Sequence, residues 1–313
     1  MDYDKILVTG GAGFIGSHTV DALMKEGTTV WVLDDLSTGS LRNLRTEKKN
    51  RKLHFLRGST VQANVVKALI QKVDAIIHLA AIVSPYYSVK RPQVVNAVNV
   101  TGTMNVLNAA LREKIQKVVF ASSSSVYGEQ TRLPIAEDNP LHPITPYGAS
   151  KLSGEKYCEA YNCTYGLSTI SLRYFNVYGE RQSANPYSGV IAIFSKQLHR
   201  GVKPTIYGDG SQTRDFIHVS DVVRANLNAL KANVRAGSAF NVGTGRAISI
   251  NELSSLLAKL AGKPDITPTH TSARKGDIRD SYADISQAKE ALRFEPKVKL
   301  EQGLKSLVNS ISY

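Results

Sequence analysis

The sequence predicts an α/β fold, a doubly wound parallel sheet with a smaller C-terminal substrate-binding lobe. Three observations predict it. Short apolar runs alternate with helical patterns through the first half of the chain, and strands of that kind are buried on both faces of a parallel sheet. A glycine-rich turn, Gly10-Gly11-Ala12-Gly13-Phe14-Ile15-Gly16, joins the first strand to the first helix. An acidic residue, Asp34, ends the second strand.

The elements follow in order. Residues 5–9 form a strand, and a helix covers about 14–26. Strands at 29–34 and 53–56 precede a helix at 61–70. The fourth strand is 73–79, and a long helix spans about 92–112. Residues 117–122 are the fifth strand, a helix starts near Thr145, and 167–173 is the sixth strand. After Arg173, loops rich in Gly, Pro and Asn alternate with shorter helices near 189–200, 221–232, 250–261 and 300–310. The division expected is a dinucleotide-binding domain at 1–172 and a substrate lobe at 173–313, with 216–244 packing back on the first domain. Ligands of such sheets sit at the carboxyl ends of the strands. The segments 10–16, 78–82, 122–125 and 174–176 all fall there.

Composition narrows the class. With 313 residues, 42% of them hydrophobic, the chain can bury a sizeable core. No apolar run approaches the ~20 residues of a membrane span. The N-terminal residues lead straight into the first strand, so no signal peptide is expected, and cytoplasmic residence follows. Cys158 and Cys163 are the only cysteines, close together on an expected helix, and suggest neither a disulfide framework nor a metal site. The net charge of +13 raises nucleic-acid binding. Its Lys and Arg residues are scattered, however, and the densest cluster, 42–52, is interrupted by Glu47 and reads as a solvated segment. No nucleic-acid or membrane partner is expected.

The glycines carry the first chemistry. Gly10 allows a tight turn, Gly13 lets backbone approach a pyrophosphate, and Gly16 allows close helix–strand packing. The helix N-terminus then receives the phosphates. Asp34 accepts hydrogen bonds from ribose hydroxyls and repels a 2′-phosphate, so the cofactor expected is NAD rather than NADP. The second chemistry lies in Tyr147-Gly148-Ala149-Ser150-Lys151. A Tyr and a Lys four apart share one helix face, and a nearby ammonium favours the phenolate. Tyr titrates near ~10, so a base working near pH ~7 needs roughly 4 kcal/mol of preferential stabilisation. The lysine and a positively charged nicotinamide can supply it together.

With these residues in place, the chain resembles the extended short-chain dehydrogenase/reductases, the family of nucleotide-sugar epimerases and dehydratases. The likeness runs essentially end to end. It is carried by 9–18, His78-Leu79-Ala80-Ala81, 99–103, Val126-Tyr127-Gly128, 147–151, Arg173-Tyr174-Phe175-Asn176-Val177-Tyr178-Gly179, 214–219 and Arg274-Lys275-Gly276-Asp277. The resemblance implies a Rossmann-type sheet, an NAD site that also includes Phe14, Ile15, Ser59, Leu79, Ala80, Ala81 and Asn99, and a homodimer formed by the helices from about Pro92 and Pro146. It implies that Tyr147 removes a proton from the sugar hydroxyl at carbon 4 while hydride passes to NAD. Ser123 holds the same oxygen, with Ser124 as second choice. Lys151 lowers the Tyr147 pKa and binds the nicotinamide ribose. For the nucleotide sugar it implies Asn176, Arg214 and Arg274 at the diphosphate, Tyr207 near the base, and Asp277 at the ribose.

The family's dehydratases carry an acidic pair before Val-Tyr-Gly, and its decarboxylases carry a Glu there. This chain has Ser124 and Ser125, and neither is a carboxylate base. A 4-keto intermediate can then only turn and take hydride back, so 4-epimerisation is expected. Three departures qualify the pattern. Ser59 replaces an adenine-contacting Asp, and Val83 replaces a Lys often found after the fourth strand in the galactose enzymes. Ser281 stands where epimerases that exclude N-acetyl sugars have Tyr. The small side chain implies interconversion of UDP-N-acetylglucosamine and UDP-N-acetylgalactosamine, and of UDP-glucose and UDP-galactose. The alternatives are a strict UDP-galactose 4-epimerase, a nucleotide-sugar dehydratase or decarboxylase, and a non-enzymatic NAD-binding regulator.

Overall fold

Strand β1 (Lys5–Thr9) buries all but its first residue, and the turn after it passes directly into helix α1 (Phe14–Lys25). The computed structural model describes residues 3–44, 50–182, 189–274 and 276–310. Residues 45–49 of the basic cluster and Lys275 of the last motif lie outside the described residues. The first half continues with β2 (Thr29–Asp34), β3 (Leu53–Arg57), α2 (Ala63–Ile70), β4 (Ala75–His78), α3 (Pro85–Lys90), α4 (Pro92–Asn96), α5 (Gly102–Arg112), β5 (Lys117–Ser123), α6 (Pro146–Tyr165) and β6 (Thr169–Tyr174). The second half holds β7 (Asn176–Tyr178), α7 (Val190–His199), β8 (Thr205–Tyr207), β9 (Thr213–Arg214), β10 (Phe216–His218), α8 (Val219–Lys231) and β11 (Ser238–Val242). It closes with β12 (Ile248–Ser249), α9 (Ile250–Leu260), β13 (Thr269–Thr271), β14 (Asp280–Ser281), α10 (Ser286–Leu292) and α11 (Leu300–Ser310).

Seven strands form one parallel sheet in the order β11-β6-β5-β4-β1-β2-β3. This is a Rossmann-type sheet. The order reverses between β1 and β4, which opens a crevice at their carboxyl ends. Helices α1 and α8 cover one face, where Val20, Leu23, Val222 and Leu230 pack against Val8, Val32 and Ile170. Helices α2, α5 and α6 cover the other, where Leu69, Val106 and Cys158 meet Leu7, Ile76 and Phe120. A separate cluster with Phe194, Leu253, Leu257 and Leu304 makes the core of the second lobe. Small pairings organise that lobe: β10 with β7, β12 and β14 on either side of β9, and β13 with β8.

Two elements differ from the sequence expectation. The helix expected at 92–112 is three consecutive segments, with a π-helical turn at Ala97–Thr101 between α4 and α5. Such a turn inserts one residue into the helical repeat and re-aims the side chains around it. The seventh strand, β11, comes from beyond the six strands expected, and pairs with β6 from Ser238↔Ile170 to Val242↔Tyr174.

The glycine turn is fixed by space. Gly10 has φ +69°, and a Cβ on it would lie 2.8 Å from the Ala80 nitrogen. A Cβ on Gly16 would collide with the Gly10 carbonyl oxygen. Backbone on both sides cannot yield as a flexible side chain could. Gly16→Ala should therefore destabilise the protein by about 1–3 kcal/mol, the usual cost of overpacking, read as a lower denaturant midpoint. An unchanged midpoint would show that α1 can move away from the turn.

Candidate active site

Thr145 starts α6, the helix that carries Tyr147 and Lys151. Its hydroxyl accepts the Gly148 N–H at 3.1 Å, and Pro146 supplies a preset φ in the first turn. Gly166, with φ +74°, ends α6. The cap fixes where Tyr147 enters the crevice. Tyr147 and Lys151 are both buried, at 7% and 3% exposure. Burial pushes the Tyr147 phenol up, and a hydrogen bond with Ser123 pulls it down. Ser123 is the last residue of β5, and its Oγ lies 2.5 Å from Ser125 Oγ. The structure thus brings Ser123, not Ser124, to Tyr147. Ser124 begins the short turn that follows.

Lys151 differs from the simplest expectation. Its Nζ donates to the Ala121 carbonyl at 2.8 Å and sits 5.0 Å from the Phe120 ring centroid. Burial brings it down to about 8, opposed by the negative charge of Glu155. The protein alone therefore leaves Tyr147 protonated at neutral pH, because desolvation outweighs the one hydrogen bond.

Behind this pair runs a chain of neutral groups. His78 Nδ1 lies 2.6 Å from Thr9 Oγ1, and its Nε2 lies 3.0 Å from Thr103 Oγ1. Complete burial, with the Lys151 charge as a lesser cause, drops His78 to about 3, so its imidazole is neutral. The Thr9 hydroxyl accepts the Ala80 N–H at 3.2 Å. Asn99, inside the π-helical turn, gives its two amide hydrogens to the Ile82 carbonyl (3.0 Å) and Ser150 Oγ (2.9 Å), and accepts the Ile82 N–H (2.8 Å). The expected cofactor residue Asn99 thus shapes the 80–82 segment through its backbone, with one lone pair of Oδ1 left over.

The crevice suits NAD. Asp34 accepts the Ala12 N–H at 2.9 Å on one oxygen and the Leu36 N–H at 2.8 Å on the other. Each oxygen keeps a lone pair for a ribose hydroxyl. Gly13 caps α1 without a side-chain hydrogen bond, so the N–H groups of the first turn, from Phe14 to Gly16, have no partner within the helix, as an anion at a helix N-terminus requires. Leu79, Ala80 and Ala81 follow β4 on the opposite wall. Ser59, beyond β3, offers its Oγ to the Val61 N–H at 3.4 Å, while its own N–H is taken by Gln62 at 3.0 Å. Its hydroxyl hydrogen stays available, as a donor where the family Asp would accept.

The residues expected at the nucleotide sugar pair with one another. Arg214 Nη2 donates to Asp277 at 2.6 Å, and Arg214 Nη1 to the Thr213 carbonyl at 2.7 Å. The Arg274 guanidinium lies 3.6 Å from the Tyr207 ring centroid. Asn176 donates through Nδ2 to the Asp215 carbonyl at 3.2 Å. Ser281, 6% exposed, stands in register beside Arg214. Four residues expected to touch a nucleotide thus hold each other in two pairs, and a diphosphate would compete for both guanidinium groups.

Two residues escaped the sequence reading of the site. Glu155 and Arg173 form a buried bidentate pair, with Nη2 2.8 Å from one carboxylate oxygen and Nε 3.0 Å from the other. Ser122, next to Ser123, donates to the same carboxylate. The spacing Tyr147, Lys151, Glu155 places all three on one helix face, and that was the available signal.

Comparison with known proteins shows the family. The model of the NAD dependent epimerase/dehydratase family matches residues 6–243. A UDP-glucose 4-epimerase of Mycolicibacterium smegmatis is 41% identical over 97% of both chains. A dTDP-glucose 4,6-dehydratase of an Actinoplanes species is 35% identical over 97% of this chain and 96% of the relative. Among solved structures, UDP-glucose 4-epimerase of Thermotoga maritima with UDP-glucose superposes with a TM-score of 0.92, at 41% identity over 97% of each chain. UDP-N-acetylglucosamine 4-epimerase of Methanobrevibacter ruminantium, in complex with UDP-N-acetylmuramic acid, gives 0.93 at 36% identity, covering 98% of this chain and 97% of that one. With its glycine turn, its Asp34 and its buried Tyr147 in the matching fold, the chain belongs to the NAD-dependent epimerase/dehydratase family.

Proposed function

We propose that this protein is a UDP-sugar 4-epimerase acting on the UDP-N-acetylglucosamine/UDP-N-acetylgalactosamine pair and on UDP-glucose/UDP-galactose. The carrying observation is Ser123 at the end of β5 beside the buried Tyr147, followed by Ser124 and Ser125 rather than carboxylates. Bound NAD supplies a hydride acceptor at the sugar carbon and a positive charge near the phenol. Tyr147 takes the hydroxyl proton and later returns it. Ser123 holds the oxygen that changes from hydroxyl to carbonyl. Lys151 supports the phenolate form. With no acid–base carboxylate beside Ser123, the keto sugar has no route to elimination, and reduction from its other face completes epimerisation. Asn176, Arg214 and Arg274 take the diphosphate, Tyr207 the base, and Asp277 the ribose. Four sugars incubated separately with the protein, with products read by NMR, test the reading. Each should give its 4-epimer. A 6-deoxy-4-keto sugar or no conversion would reject it, and the first would favour the dehydratase alternative that the Actinoplanes relative represents.

We also propose a homodimer through α4 and α6, the helices implied by the resemblance. Val94 is 44% exposed on α4, and Val89 64% exposed on the preceding α3. Both helices pack on α6, where Ala149, Leu152 and Tyr157 line a shallow depression. A second copy of the chain is the proposed cover for these exposed apolar side chains. Light scattering should give twice 34.1 kDa. A mass of one chain at micromolar concentration would reject the dimer.

Tyr147→Phe should keep the fold and NAD binding and lose turnover by about 100- to 10,000-fold, the range of a positioned acid–base group. Retention of more than about a tenth of wild-type kcat would exclude Tyr147 as the base. Ser281→Tyr should impair the N-acetylated pair relative to the plain hexoses by about tenfold to a hundredfold, as strain of roughly 1–3 kcal/mol implies. Equal loss on both pairs, or a wild type inactive on UDP-N-acetylglucosamine, would show that Ser281 does not set the acetamido pocket.

A further inference from the structure

A buried polar network reaches from the catalytic helix into the second lobe. Glu155 and Arg173 are each 5% exposed, so neither charge is stable there without the other. Arg173 extends the pair outward. Its Nη1 donates to Tyr127 Oη at 2.8 Å and to the Glu137 carbonyl at 3.1 Å. Tyr127 in turn donates to Asn241 Oδ1 at 2.6 Å. The Asn241 N–H donates to Glu137 Oε1 at 2.8 Å, and its Nδ2 donates to the carbonyls of Ile135 (2.9 Å) and Asp284 (3.1 Å). Ile135 bridges Ala283, two residues beyond Ser281. At the other end, Glu155 lies one helical turn past Lys151 and holds Ser122 beside Ser123. One network thus touches β5, β6, β11, α6 and the segment that carries Ser281.

We propose that Glu155 and Arg173 are positioning residues: Glu155 is the counter-charge that keeps Lys151 an ammonium, and the pair locks Ser123 and α6 to the substrate lobe. This rests on the epimerase reading for its activity readout. The groups around Lys151 support it. Glu155 and Cys158 act on it from its own helix, which also carries Tyr147 one turn earlier, His78 from β4, and Phe120 and the Ala121 carbonyl from β5. His78 is neutral, and burial raises the Cys158 thiol to about 12, so it is neutral as well. Arg173, Tyr127 and Glu137 stand on the far side of Glu155. Arg173 is held above its usual range by the Glu155 hydrogen bonds and charge, against its desolvation, and Tyr127 is raised by burial. Among these groups Glu155 is the anion that contacts both the end of β5 and the Lys151 helix face.

The test is the pH dependence of kcat and KM in wild type, Glu155→Asp, Glu155→Gln and the double variant Glu155→Gln/Arg173→Gln. The alkaline limb reports loss of the Lys151 proton. Glu155→Gln should move it toward acid by about one pH unit, since an opposite charge has gone and Arg173 remains. At a pH on that limb kcat should fall about tenfold, with KM for the sugar nearly unchanged. Glu155→Asp should keep the wild-type limb. The double variant, with neither charge, should fall between, and it carries the test if Glu155→Gln does not fold. Coincident limbs in wild type and every folded charge-removing variant would overturn the proposal. So would equal losses in Glu155→Asp and Glu155→Gln at every pH. If the wild type turns over no sugar, the epimerase reading fails on its own, and the same variants are read by ultraviolet difference titration of Tyr147 in the NAD-loaded protein. A Tyr147 titration that Glu155→Gln leaves in place then overturns the proposal, and one that moves in Glu155→Gln but not in Glu155→Asp sustains it.

Discussion

In the proposed epimerase a phenol buried out of water must lose its proton, and the rest of the proposed site answers to that constraint. Tyr147 is desolvated on all sides, which favours its neutral form. Roughly 4 kcal/mol separates an ordinary Tyr from one that ionises near neutrality. One hydrogen bond from Ser123 contributes part. Positive charge must supply the rest, and Lys151 is itself desolvated, brought down to about 8. Two buried groups of opposite charge are each unfavourable alone and favourable together. The Ala121 carbonyl and the Phe120 ring face hold the ammonium, and Glu155 adds a negative charge one turn away. In the proposed mechanism the remaining charge would be that of oxidised nicotinamide, so the phenolate would be most populated when the cofactor is ready to accept hydride.

The same economy governs the substrate side. Two arginines in a solvent-facing cleft would be free to wander, at an entropic cost when a diphosphate orders them. Here Arg214 is tied to Asp277, and Arg274 lies on the face of Tyr207. Both guanidinium groups are thus held in place before any diphosphate arrives at the proposed site. Beneath them the buried Asp215 carboxylate accepts the N–H groups of Thr244, Gly245 and Ala283. That carboxylate joins β9 to the loop after β11 and to the chain leaving β14, and so fixes Arg214 and Ser281 relative to the sheet.

Much of this was legible in the chain. Strands and the helices on them followed from apolar runs and periodicity, and the glycine turn and the Tyr147–Lys151 face are local, so spacing alone could find them. What stayed hidden is non-local or depends on register. The pairings of Glu155 with Arg173 and of Arg214 with Asp277 join segments that only the fold brings together. The sequence places 216–244 back on the first domain, but nothing in the composition of Ser238–Val242 marks it as the edge strand paired with β6. The π-helical turn at Ala97–Thr101 has ordinary helix residues, so the inserted residue left no trace in the pattern. Helix α3 was missed for a different reason. Ser84-Pro85 reads as a loop after β4, yet Ser84 accepts the Tyr87 N–H at 3.1 Å and Pro85 takes the first turn, which is a helix start.

The isotope at carbon 4 decides between the chemistries open to this family. UDP-galactose carrying deuterium at that carbon can be run to equilibrium with the purified protein in ordinary water. Epimerisation through Tyr147 without a carboxylate partner predicts that the deuterium stays on carbon 4 in both UDP-galactose and UDP-glucose. Deuterium found at carbon 6 or lost to solvent would mean that the keto sugar reacts further before reduction, and would contradict the assignment of Ser124 and Ser125 as bystanders.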